Sequence, residues 1–107
     1  MTNTEKLAYV KTMLNIDDDS LDAKLTAYLD MAEKEIVAWL YSLVSRPANP
    51  HVPEKYDIVQ INAVVVAYSI EGAEGEVTHH ENGINRKFNY DTMVKFIRSH
   101  VFPYAGV

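Results

Sequence analysis

Residues 74–88 read EGEVTHHENGINRKF, and their conformation decides the fold, because the chain on either side has helical periodicity and only this stretch has the marks of β-structure. Asn82-Gly83 is a strong short hairpin signal: a type I′ turn needs positive φ at both central residues, and these residue types tolerate it best. A hairpin centred there sets Glu81 opposite Ile84, His79 opposite Arg86 and Val77 opposite Phe88. Val77, Ile84 and Phe88 then share a face with His79, Glu81 and Arg86, while Glu76, Thr78, His80, Asn85, Lys87 and Asn89 make the other face wholly polar. A two-stranded ribbon with so little to bury is marginal by itself. The sequence therefore predicts that it leans on the helices or on another chain.

Upstream, Gly72 and Gly75 punctuate the end of a third helix that runs from Pro53, suited to a first helical turn, to about Glu71. The β-branched run Ile61, Val64, Val65, Val66 also suits a buried strand, but the length without an internal Gly or Pro favours helix. Apolar groups on most of its circumference imply burial on several sides. Before it, SRPANPHVP (45–53) holds three prolines and reads as a loop within the domain. The second helix is the clearest: Leu21, Leu25, Tyr28, Leu29, Ala32, Ile36, Trp39, Leu40 and Leu43 make one apolar stripe. Asp19 or Ser20 is placed to cap it, with neighbouring carboxylates at the positive end of its dipole. An EF-hand reading of Asp17–Ser20 fails, since Leu21, Ala23 and Leu25 stand where calcium ligands are needed. Thr2 and Glu5 have capping-box spacing, and with Leu7, Val10 and Leu14 they predict a first helix from about residue 3 to about residue 15. After the hairpin, Asp91 is placed to cap a last helix with Val94, Ile97 and Val101 inward, stopped by Pro103. The predicted fold is mostly α: a small bundle of about four helices with one β-hairpin between the third and fourth.

A chain of 107 residues suffices for one domain, which is expected to span residues 1–107, burying roughly two thirds of its unfolded surface. The apolar fraction of 48% with a net charge of -5 describes a globular protein. Without cysteine there are no disulfides and no thiolate zinc sites. The opening MTNTEKLAYV lacks the marks of a signal peptide, and the longest apolar block, Ala63 to Tyr68, is too short to span a bilayer, so no membrane association and a cytoplasmic location are expected. The acidic balance argues against tight wrapping of nucleic acid, which needs clustered Lys and Arg.

No constellation for catalysis emerges. His79 and His80 are strand neighbours, which point to opposite faces and do not converge on one metal, and His51 and His100 lie far off in sequence. Glu71, Glu74, Glu76 and Glu81 cluster, yet no electrophile, oxyanion hole or cofactor loop stands beside them. Gly72 and Gly75 are not followed by the Lys-Ser/Thr pair of a phosphate cradle. A hydrolase built on His79 or His80 lacks a nucleophile. Neither an enzyme nor a cofactor or metal is expected. The basic pair Arg86-Lys87 on a projecting ribbon leaves one alternative, a small helical nucleic-acid-binding domain.

The order of short helix, long amphipathic helix, proline-rich loop and apolar helix ending in YSIEGAEGEVTHHENGINRKF (68–88), then a short helix and FPYAG (102–106), resembles the small head-tail connector proteins of tailed bacteriophages and prophages. The most telling part is Glu74-Gly75 closing the third helix, a polar strand, Asn82-Gly83, and a strand ending in Phe88. The resemblance implies a structural virion assembly protein, a self-assembling adaptor ring, dodecameric on the portal. It would sit beneath the portal vertex after packaging, join head to tail, and leave a channel through which DNA passes without sequence-specific binding. The implied partners are further copies, the portal protein and the next tail or head-completion protein. The implied places are the host bacterial cytoplasm during assembly and the head-tail junction of the virion. A ring offers the ribbon a surface at every junction, which designates Val77, Ile84, Arg86 and Phe88, with Val66 and Ile70 of the third helix, as candidate subunit contacts. Glu71, Glu74 and Glu76 are the candidate channel-facing carboxylates, which would repel phosphate and let a duplex slide.

Overall fold

The computed structural model describes residues 1–75 and 82–105, with side chains described for residues 1–70 and 91–105. Among these residues four α-helices follow one another: α1 (Asn3–Met13), α2 (Asp22–Leu40), α3 (Asp57–Gly75) and α4 (Asn82–His100). One 3₁₀ turn, Glu54–Tyr56, leads into α3.

The ends of α1 are fixed by local chemistry. Thr2 Oγ1 accepts the Glu5 backbone N–H at 3.1 Å, and Glu5 Oε1 accepts the Thr2 N–H at 2.8 Å, which is the capping box expected from the spacing. At the other end Asn15 takes a left-handed conformation (φ 58°), and the N–H groups of Ile16 and Asn15 reach back to the carbonyls of Lys11 and Thr12 at 2.9 and 3.2 Å. This is a Schellman closure with asparagine where glycine is commonest. The bonds from Thr2 hold the Glu5 carboxyl below the usual glutamate range. A group lowered in the folded state stabilises above its unfolded pKa, and that contribution is lost as pH falls through the folded value. Glu5→Gln is therefore expected to lower the melting temperature at pH 7 and to converge with the wild-type chain in acid, as a thermal series at falling pH will show.

The start of α2 differs from expectation. Neither Asp19 nor Ser20 caps it; Leu21 holds the cap position without a side-chain bond. Ser20 instead turns its N–H and hydroxyl to Asp18 Oδ1 at 3.1 and 2.7 Å, and Asp19 and Asp22 engage Lys11 of α1 at 3.0 and 2.9 Å. Tertiary ion pairing has taken the carboxylates that local capping would use. Those two carboxylates raise the Lys11 pKa.

Leu25, Leu29, Ala32, Ile36 and Leu40 carry the α2 stripe into the core with no exposed surface. Leu43, which the periodicity places with them, lies beyond the last turn and is 69% exposed. The β-branched segment is helical, as its length requires, and α3 packs on α1, α2 and α4. Ile61, Ala63, Val64 and Ala67 are buried, while Val59, Val65 and Val66 are half-buried, consistent with a helix enclosed on several sides. Met93, Ile97 and Val101 complete the core from the fourth helix, with Met93 in the place expected for Val94, which is half-buried.

The β-hairpin is not seen. Residues 76–81, including Val77 and Glu76, lie outside the described residues, and from Asn82 the backbone is helical. Asn82 and Gly83, expected in a turn, stand in the first turn of α4, and Asp91, expected as a cap, lies inside it. Two features make 82–88 readable either way. Asparagine is favoured at helix starts as well as in turns, and Ile84 and Phe88, four apart, share a face in a helix and in a strand alike. What the pattern leaves open is decided by α4 lying along α3 as a 19-residue helix.

Candidate assembly surfaces

A buried polar junction joins three helices. The Lys6 ammonium, on a residue only 4% exposed, donates to Gln60 Oε1 and stands 3.2 Å from Asp57 Oδ1. Gln60, fully buried, gives its Nε2–H to the Leu29 carbonyl of α2 at 2.9 Å, and the Met1 amino group lies 3.2 Å from Asp57 Oδ2. Each buried polar head thus has a partner, which is the condition on which burial is tolerated. A shallow cleft over this junction is lined by Glu33, His51 and Glu54. It brings no nucleophile beside a base. Among the described residues no group of three His, Asp or Glu side chains is placed to hold a metal ion.

The chain after α4 is clamped to the far end of α2. The Trp39 indole N–H donates to the Val101 carbonyl at 2.8 Å, the Phe102 N–H donates to the Tyr56 hydroxyl at 3.3 Å, and the Tyr104 N–H donates to the Leu40 carbonyl at 2.9 Å. The last of these satisfies one of the orphan carbonyls that end α2. Tyr104 also meets Tyr41 with ring centroids 5.3 Å apart. Arg98 lies over the Trp39 ring at 4.9 Å, and Lys55 over the Tyr56 ring at 5.1 Å, each within reach of a cation–π attraction. Held this way, the Phe102 side chain is 77% exposed. Pro103 stops the helix as expected, but periodicity gives no sign of the clamp, whose partners lie 46 to 64 residues apart.

Of the residues designated from the sequence, Val66 and Ile70 are half-buried on α3. Glu71 and Glu74 belong to the last turns of α3, and Ile84, Arg86, Lys87 and Phe88 to the first turns of α4. His51 and His100 are both exposed, in separate parts of the structure, with His100 stacked on Phe96 at 4.2 Å. None of the helices is long and apolar enough, among the described residues, to cross a membrane.

No curated protein and no solved structure matches the chain. A family model does, that of the phage gp6-like head-tail connector protein, over residues 4–100. The match runs from the first turn of α1 to the last residue of α4, so it takes in all four helices and the segment between α3 and α4. The family is a structural one, of virion components. The chain belongs to the phage gp6-like head-tail connector proteins.

Proposed function

We propose that this chain is the adaptor that copies itself into a ring beneath the portal vertex, linking the head to the next tail or head-completion protein around a channel for DNA. The observation that carries the reading is the family match across residues 4–100. In this reading the segment around residues 76–89, through Val77, Ile84, Arg86 and Phe88, meets the neighbouring copy together with Val66 and Ile70 of α3. Support comes from the apolar surface that α3 keeps at Val66 and Ile70, both half-buried one turn apart. Glu71, Glu74 and Glu76 face the channel, where like charge keeps a duplex from adhering.

Replacing Ile84 and Phe88 together by serine is expected to abolish or weaken ring formation on a portal, measured by native mass, while the far-ultraviolet helical signal stays within a few per cent of wild type. Assembly at wild-type yield would remove these two residues from the interface. In the same preparation, titration with duplex DNA at low salt is expected to give no salt-dependent binding, the result that separates a channel wall from a nucleic-acid-binding domain.

A further inference from the structure

Helix α1 is attached to the bundle differently from its neighbours. Of its 11 residues only Lys6 and Val10 are buried, Leu7 and Lys11 are half-buried, and the rest are exposed. Val10 is thus the one apolar side chain that α1 buries completely. By contrast α2 buries Leu25, Leu29, Ala32, Ile36, Val37 and Leu40, and α3 buries Ile61, Ala63, Val64 and Ala67. Apolar burial is the dominant favourable term in folding, so α1 gains less from its seat than α2 or α3 gains from the core.

Charge makes up the difference. Lys6 holds α1 to α3 through Asp57 Oδ1 at 3.2 Å, and Lys11 holds it to the start of α2 through Asp19 at 3.0 Å and Asp22 at 2.9 Å. The Asp19 side chain is 90% exposed and that of Asp22 36%, so water and salt compete for Lys11. The Lys6 site is buried, yet Lys6 and Asp57 both line the cleft that also holds Glu33, His51 and Glu54. Gln60 keeps its own bond to the Leu29 carbonyl whether or not Lys6 is present.

We propose that α1 is a releasable helix: it leaves its seat on α2 and α3 as a unit, both lysine latches opening together, while α2, α3 and α4 stay packed. Withdrawal of α1 widens the cleft, so Asp57 and Gln60 pass into water along with Lys6 and none is left buried without a partner. A helix of 11 residues does not persist alone in water. Release and unwinding are therefore one event, and the amides of α1 lose protection together. The Thr2–Glu5 capping box works against fraying from the first turn, which leaves the seat as the weaker point. Salt reaches the Lys11 part of the latch, so the released fraction rises with ionic strength. The device goes beyond the ring reading and does not depend on it.

Native-state hydrogen exchange on the full chain, followed by NMR in sub-denaturing urea, tests this. The Val10 to Leu14 amides are expected to exchange at one common opening rate, about ten-fold or more faster than those of Leu29 to Ile36 in α2, and with a shallower urea dependence. Lys11→Met keeps the aliphatic stem and removes the charge. It is expected to speed exchange in α1 several-fold and to leave the α2 amides unchanged, which also verifies that the variant is folded. Raising sodium chloride from about 0.05 M to about 0.5 M should speed α1 in the wild-type chain and have little effect on it in Lys11→Met. An α1 that shares the rate and urea dependence of α2 is part of one cooperative unit and would overturn the proposal. Exchange graded along α1 from one end would be fraying and would overturn it too. The same holds if Lys11→Met leaves α1 unaffected or speeds α1 and α2 alike, or if its salt response equals that of the wild-type chain.

Discussion

Lys6→Met is expected to lower the unfolding free energy by about 3 kcal/mol, read as a fall in the urea midpoint at unchanged slope. The substitution keeps the length of the aliphatic stem but removes the ammonium from a site where its partners are buried. Asp57 is 4% exposed and Gln60 fully buried. With the ammonium gone, the Asp57 carboxylate keeps only the Met1 amino group at 3.2 Å, and Gln60 Oε1 loses its donor. The loss comes mostly from groups left desolvated and unpaired, and less from any net worth of the intact pair, because two buried charges roughly offset their own desolvation. A double-mutant cycle separates the two. Lys6→Met combined with Asp57→Ala should cost less than the sum of the single changes by about 1–3 kcal/mol. Additive costs would show that the two side chains do not share one buried site.

The second large effect is a contrast between two leucines three residues apart. Leu40→Ala is expected to cost about 2–5 kcal/mol, since the side chain has no exposed surface and its removal leaves a cavity between α2 and its neighbours. Leu43→Ala should change stability by less than about 0.5 kcal/mol, as for exposed positions in general, because Leu43 is 69% exposed beyond the end of α2. Chemical denaturation of both variants measures the difference. A large loss at Leu43 would place that side chain in a packed environment.

The two leucines also show how far a sequence pattern reaches. Helical spacing assigns Leu40 and Leu43 to one stripe, and only the point where the helix stops distinguishes them. At that stopping point the Tyr104 N–H meets the Leu40 carbonyl and the Trp39 indole reaches the Val101 carbonyl. Both partners lie more than sixty residues away. The capping box at Thr2 and Glu5 was legible because both groups lie within one turn. The cap expected from Asp19 or Ser20 failed for the converse reason: Lys11, on another helix, offers the Asp19 carboxylate a stronger partner. Among surface features, the basic pair Arg86-Lys87 and the carboxylates near Glu71 were visible as composition. The clamp that presents Phe102 was not.

By itself the sequence determined four helical segments, the apolar stripe of α2 from Leu25 to Leu40, the helical state of the β-branched run and the kinship with head-tail connectors. These depend on periodicity, caps and length, which act over neighbouring residues. Tertiary structure alone decided that α4 begins at Asn82, that Met93 turns inward ahead of Val94, and that Lys6 can be buried because Asp57 and Gln60 meet it. Each of those outcomes turns on a contact between residues far apart in the chain, where local preference is nearly even and packing or pairing supplies the difference.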